Sequence, residues 1–159
     1  MNLIHGRWGF RPKVPRVNAS DPVQRLISGL ARPGRPSTDF DLNPGPAPLG
    51  HRPMRPAGVL IGVDVTGAVP TIILTQRSAQ LKHHPGQVAF PGGGVDPGDR
   101  DAKDAALREA GEEIGLDPGC FHYLATLPPH ETITRFSITP VLGLITAPFA
   151  ERAGERGEI

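Results

Sequence analysis

LREAGEEIGL, residues 107–116, sets Glu109, Glu112 and Glu113 within five positions of one another in a chain whose formal net charge is only +1. At about 100° per residue these acids occupy one arc of a helix, while Leu107, Ala110 and Ile114 fall on a neighbouring face. The segment therefore reads as a helix that buries one side and presents carboxylates from the other. Glu109 has Glu113 at i+4, where a solvated surface would be better served by Lys, and like charges at that spacing are destabilising. A hard divalent cation offsets such repulsion, because Mg²⁺-type ions take oxygen ligands from a few carboxylates together with substrate phosphates. The plainer alternative is a solvated acidic helix end, although acids late in a helix oppose its dipole.

The residues upstream extend this reading. Pro91 is followed by Gly92, Gly93 and Gly94, which let a backbone approach a ligand more closely than a Cβ would allow. Arg108 can bridge a carboxylate or a phosphate through its fork of donors. From Gly58 the run GVLIGVDV, the turn Thr66-Gly67 and the run PTIILTQR read as a hairpin. LKHHPGQVAFPGGGVDPGDR reads as loop, DAKDAALREAGEEIGL as helix, FHYLATL and SITPVLGLIT as strands, and PPHETITR as the loop between them. Strands on both sides of one strong helix predict a mixed α/β domain.

Composition bounds the rest. A chain of 159 residues holds one ordinary domain, and the single cysteine, Cys120, excludes an internal disulfide or a Cys-based zinc cluster. One cysteine suits a reducing compartment, so the cytoplasm is the expected location. No apolar run approaches the ~20 residues that a membrane span needs, so no membrane partner is expected. Residues 1–56 carry nine Lys/Arg against three Asp and ten of the nineteen prolines, whereas residues 57–159 carry eight against thirteen Asp/Glu. The first 56 residues read as a basic, Pro-rich leader, interrupted by a short helix at 20–30 in SDPVQRLISGL, with Ser20 or Asp21 as cap and Pro22 in the first turn. The leader lacks dense Lys/Arg runs or interleaved aromatics, so a solvated tether is expected and nucleic acid is not an expected partner.

Gly93, five residues, Asp99, eight residues and then R108-E109-A110-G111-E112-E113-I114-G115-L116 resemble the Nudix box, G-x5-E-x7-R-E-U-x-E-E-x-G-U, with U aliphatic. Ala110 is a small stand-in for the aliphatic, Asp99 replaces the first Glu, and one extra residue precedes Arg108. Counting from Gly94 restores the spacing but puts Arg100 at the acid position, so both registers stand. The upstream residues I73-L74-T75-Q76-R77-S78, K82, G86 and F90-P91-G92-G93 resemble a second signature, approximately L-L-T-x-R-S-x3-R-x3-G-x3-F-P-G-G, of the coenzyme A diphosphatase branch of the Nudix hydrolase superfamily.

This resemblance implies an α/β/α sandwich with a mixed sheet over residues 57–159, with the box at about 93–116. It also implies hydrolysis, dependent on Mg²⁺ or Mn²⁺, of the pyrophosphate bond of coenzyme A or an acyl-CoA to 3′,5′-ADP and (acyl-)4′-phosphopantetheine. Carried over by residue, Glu109 and Glu113 are the principal metal ligands, Glu112 is a further ligand or base, and Arg108 orients a glutamate. Glu131 is a second candidate base, Gly92, Gly93 and Phe90 line the substrate, and Arg77 and Lys82 are candidates for the 3′-phosphate. His83, His84 and His130 are weaker candidates. Members of the branch continue beyond the equivalent of Ile159, so the C-terminal part is expected to be shortened. The second face of the sheet is then expected to be covered by a homodimer partner or by the 20–30 helix. The alternatives are another Nudix specificity (NADH, ADP-ribose or a dinucleoside polyphosphate) and a catalytically silent binding protein.

Overall fold

The structure is a computed structural model, and residues 21–32, 34–41, 53–76 and 86–149 are described. Two ten-residue strands form its axis. β2 (Arg55–Asp64) and β9 (Phe136–Ile145) run parallel and in register over their whole length, from Arg55 opposite Phe136 to Asp64 opposite Ile145. Parallel neighbours need a crossover, and α2 (Ala102–Ile114) lies on the chain between them. Short antiparallel strands complete both sides: β6 (Gly92–Gly94) and β3 (Thr71–Ile72) flank β2, while β7 (Phe121–Thr126) and β8 (His130–Glu131) flank β9. β1 (Ser37–Thr38) adds in parallel to β8. The sheet is mixed and helices cover both of its faces, which is the α/β arrangement that the sequence predicts.

Alternation along β2 and β9 divides the core in two. Leu60, Val141 and Ile145 face α2 and pack with Ala106, Ala110, Ile114 and Leu116. Leu142, Leu144 and Val63 face the other way, onto Val23 of α1 (Pro22–Gly29), with Leu26, Ile27 and Leu30 at its rim. Asp21 caps α1 by accepting from Val23 N–H at 2.7 Å, and Pro22 occupies the first turn, where its missing N–H is not needed. α1 thus covers the upper part of the face opposite α2.

α2 starts where Asp101 accepts from the N–H groups of Lys103 and Asp104. It stops at Gly115, left-handed with φ 72°, beyond which Leu116 N–H reaches back to Ala110 O. Alanines 105, 106 and 110 are fully buried and bring the helix close to the sheet. The closest approach is at Gly58, where a Cβ would sit 1.9 Å from the Ala102 carbonyl oxygen.

Two readings of the sequence change. The expected hairpin is confined to residues 63–64 and 71–72, because β4 (Thr75–Gln76) leaves the main sheet to pair with β5 (Val88–Ala89). Residues 92–94, expected as loop, form β6 on the edge of β2. Glycine disfavours a strand, but here only glycine fits, since a Cβ at Gly92 would lie 2.3 Å from Gly58 O. Tertiary pairing overrides the local preference.

Segment 34–41 is held to the sheet by more than the β1–β8 pairing. The His130 ring bridges Ser37 Oγ through Nδ1 at 2.9 Å and Asp39 Oδ1 through Nε2 at 2.9 Å, and Ile133 N–H donates to Asp39 Oδ2 at 2.8 Å. The Ile133 N–H and then the His130 ring hold the Asp39 carboxyl below its ordinary value of 3.8.

Two tests follow from this packing. Gly58→Ala forces α2 off β2 and is expected to destabilise by about 2–3 kcal/mol in a denaturant titration. Because the folded Asp39 value is depressed, its contribution is fully present above pH 3.8 and is lost as pH falls through the lower folded value. The melting temperature of Asp39→Ala should therefore lie below that of the wild type at pH 5–7, with the gap closing below pH 3.8.

Candidate active site

The site is built where the acidic face of α2 passes over the glycine strand. Gly58 and Gly93 are in register on β2 and β6, and both lack the Cβ that would point at α2. The Ala102 carbonyl fills the place above Gly58. The Glu109 side chain fills the place above Gly93, where a Cβ would come within 2.4 Å of Oε1. The paired glycines thus form a slot that admits the helix at one end and a glutamate at the other.

Arg108 locks this slot. Its Nε and Nη2 donate to the two oxygens of Asp99 at 3.2 and 3.0 Å, Nη2 also donates to Gly94 O at 3.1 Å, and Nη1 donates to Glu109 Oε1 at 2.8 Å. Glu112 Oε1 lies 3.5 Å from Nη1, and Asp96 Oδ2 lies 3.6 Å from Nη2. One guanidinium therefore connects the helix, the glycine strand and the 96–99 turn. The Arg108 fork lowers the Asp99 carboxyl below its ordinary value, helped by Asp96 N–H, and Asp99 in turn raises Arg108 further above its already high value. Both groups stay charged throughout the working range of an enzyme.

This geometry decides between the two registers of the box. Asp99, whose side chain is only 7% exposed, meets Arg108, whereas Arg100 points away and pairs with Asp104 one turn along. Asp99 is the acid of the motif, and the extra residue is taken up in the 96–99 turn, where Asp96 N–H donates to Asp99 Oδ2 at 2.9 Å.

The third glutamate takes a different partner, as Gly92 N–H donates to Glu113 Oε2 at 3.2 Å. Glu109 and Glu113 are half-buried against β6, while Glu112 is exposed. Among the described residues no three His, Cys, Asp or Glu side chains converge as a ready cation cage. The carboxylates are instead held by Arg108 and by the Gly92 N–H. As a donor set they still suit a hard divalent ion: three carboxylates at i, i+3 and i+4 on one face, with the missing Cβ of Gly93 leaving space beside the first.

The other residues singled out in the sequence lie apart or outside the described residues. Phe90, 37% exposed, immediately precedes Pro91 and β6. Glu131 is exposed on β8, with β9 and β2 between it and the 92–95 edge; three strand spacings place it about 14 Å away across the sheet. His130 anchors segment 34–41, a role that nothing in its loop sequence signals. Arg77, Lys82, His83 and His84 lie outside the described residues. Gly58 and Asp96 went unnoticed in the sequence. The signal for Gly58 was available, because a glycine inside a β-branched strand marks a close approach.

Gly93→Ala tests the slot. The added Cβ meets the end of a flexible side chain rather than backbone, so the melting temperature should move little. Displacement of Glu109 should lower hydrolytic turnover about tenfold or more, measured by product chromatography.

With this geometry in place, comparison with known proteins identifies the family. The family model described as NUDIX domain matches residues 54–155. Over 110 residues the chain is 44% identical to the uncharacterized Nudix hydrolase NudL of Pectobacterium atrosepticum, covering 69% of this chain and 57% of that protein. Over 91 residues it is 52% identical to the NudL of Citrobacter koseri, covering 57% and 47%. The chain thus spans about half the length of the curated relatives it matches. Among solved structures it resembles the Nudix hydrolase RenU of M. smegmatis, with TM-score 0.52, 22% identity, 65% of this chain and 69% of that one. It also resembles the C. elegans Ap4A hydrolase, with TM-score 0.51, 22% identity, 62% of this chain and 71% of that one. A match over this stretch, centred on the helix and glycine strand just described, shows that the chain belongs to the Nudix family.

Proposed function

We propose that this chain hydrolyses the pyrophosphate bond of a nucleotide-type substrate, and that this substrate is coenzyme A or an acyl-CoA. The observation that carries the chemistry is the Arg108 clamp, which holds the acidic face of α2 against a strand with no side chains. Support for the coenzyme A branch comes from the T75–F90 signature and from the acid of the box being Asp99 in a lengthened turn.

In this reading Glu109 and Glu113, with Glu112, hold Mg²⁺ or Mn²⁺. When bound, such an ion neutralises the diphosphate and makes hydroxide available near neutral pH. The chain's own residues do the rest. Arg108 fixes the Glu109 carboxylate and remains charged, so the ligand geometry does not depend on pH in the neutral range. Gly92 and Gly93 let the phosphates approach the backbone of β6, and Phe90 forms the exposed shoulder beside it. Glu112, the most exposed of the three acids, is placed to take the proton from the attacking water. Glu131 stands as a second candidate for that proton, reaching the site only with movement of the loop that carries it. Arg77 and Lys82 remain candidates for contacts to the nucleotide portion. The cytoplasm is the proposed location, and no helix among the described residues is long and apolar enough to cross a membrane.

The test is a panel of coenzyme A, dephospho-coenzyme A, NADH, ADP-ribose and diadenosine tetraphosphate with Mg²⁺ or Mn²⁺, with products separated by chromatography. Coenzyme A should give 3′,5′-ADP and 4′-phosphopantetheine, and chelation with EDTA should abolish turnover. Preferential cleavage of another member of the panel would reassign the substrate, and no cleavage by folded protein would leave a binding role. Glu113→Gln should reduce turnover by about 10²-fold or more with the fold intact. Near wild-type turnover in that variant would place the ion elsewhere.

A further inference from the structure

We propose that Arg55 and Arg135 form an anion subsite that takes a phosphate of the substrate outside the scissile pyrophosphate, namely a phosphomonoester on its nucleoside side. The proposal rests on the nucleotide-hydrolase reading above and assigns that phosphate to residues which the sequence motifs do not mark.

Three observations converge on the pair. An open cleft of about 370 Å³ at the start of β2 and β9 is lined by Pro53, Arg55, Thr134 and Arg135, with two arginines and no acid in its lining. The Arg55 guanidinium lies over the Phe136 ring, 4.0 Å from its centroid, and Nη2 is 3.4 Å from Thr134 O. Stacking fixes the plane of the guanidinium while its edge carries the remaining N–H donors, the arrangement that suits bidentate recognition of a phosphate. Arg135 is the one non-glycine with positive φ among the described residues, at 67°. Its backbone is tied on both sides, Arg135 N–H to Thr132 O at 2.9 Å and Arg55 N–H to Arg135 O at 2.9 Å. Glycine would adopt this conformation without strain, so the arginine side chain is kept at a conformational cost. That cost points to a use for the side chain.

The position suits a second phosphate of one ligand. Arg55 and Phe136 are in register, and two residues further along their strands Ala57 is in register with both Ile138 and Gly94, the residue whose carbonyl Arg108 grips. Two residues of strand are about 7 Å. Gly94 shares the face of Ala57 and Arg55, and a Cβ there would meet nothing within 4 Å. A ligand with its pyrophosphate at the β6 edge can therefore pass over Gly94 to the arginine cleft without crossing packed side chains. The span fits a sugar carrying phosphates on two of its hydroxyls, and is too long for the two phosphates of one anhydride.

The experiment is calorimetric binding of adenosine 3′,5′-bisphosphate and of 5′-AMP to the full chain, in the wild type, Arg55→Gln and Arg135→Gly, with no turnover required. The wild type should bind the bisphosphate about tenfold or more tighter than 5′-AMP. Each variant should lose most of that preference while its affinity for 5′-AMP stays unchanged. Arg135→Gly, which relaxes the backbone, should melt no lower than the wild type. No preference in the wild type, retention of the preference in either variant, or equal weakening of both nucleotides overturns the subsite. The two readings fail separately. A bisphosphate preference without coenzyme A cleavage keeps the subsite and ends the diphosphatase assignment, whereas cleavage without the preference does the reverse.

Discussion

The guanidinium of Arg108 is the point on which the site depends. Three glutamates on one helical arc repel one another, and a strand of three glycines has little reason to order by itself. One side chain addresses both problems by donating to Glu109 on its own helix, to Gly94 O on the strand and bidentately to Asp99 in the turn between them. Its charge is secured by the acid it secures, since the pairing moves the two groups' proton affinities apart. The acids are thereby held in place before any ligand arrives, which is what a preorganised site requires.

The sheet beneath supplies the distances. The parallel pair β2–β9 carries one core on each face, and the two faces serve different ends. The face toward α2 is packed to van der Waals contact, with Gly58 and Gly143 removing side chains where the Ala102 carbonyl and the Phe121 ring need the room. The opposite face is covered by α1 over Val63, Leu142 and Leu144, while the open arginine cleft lies at the far end of the same two strands. A ligand bound at the edge of β6 therefore has a packed helix on one side and an accessible sheet face on the other.

Much of this was legible in the sequence, and what was not shares one physical cause. α2 was readable because its period, its Asp101 cap and its Gly115 stop are all local, and the glutamate arc follows from helical geometry alone. β2, β7 and β9 were readable from their β-branched and apolar runs. β6 was not, because Gly-Gly-Gly carries no strand preference and becomes a strand only through contact with β2. The second half of the expected hairpin divides between two sheets for the same reason: its partners, Val63 and Asp64 on one side and Val88 and Ala89 on the other, are set by tertiary pairing. The choice between Asp99 and Arg100 as the acid of the motif could not be made by counting and is made by which side chain meets Arg108. Arg55 and Arg135, eighty residues apart, carry no shared pattern, and the positive φ of Arg135 exists only in the folded turn.

The central claim is that the acidic face of α2 and the Gly92–Gly94 edge together form one cation-binding centre. Paramagnetic broadening of backbone amide signals on titration with Mn²⁺ tests it most directly, because the effect falls steeply with distance from the ion. The account predicts that Gly92, Gly93, Glu109, Glu112 and Glu113 broaden first, with Val23 and Leu26 of α1 unaffected. Broadening centred on Asp39 and Glu131 instead, or spread evenly over exposed acids, would contradict it.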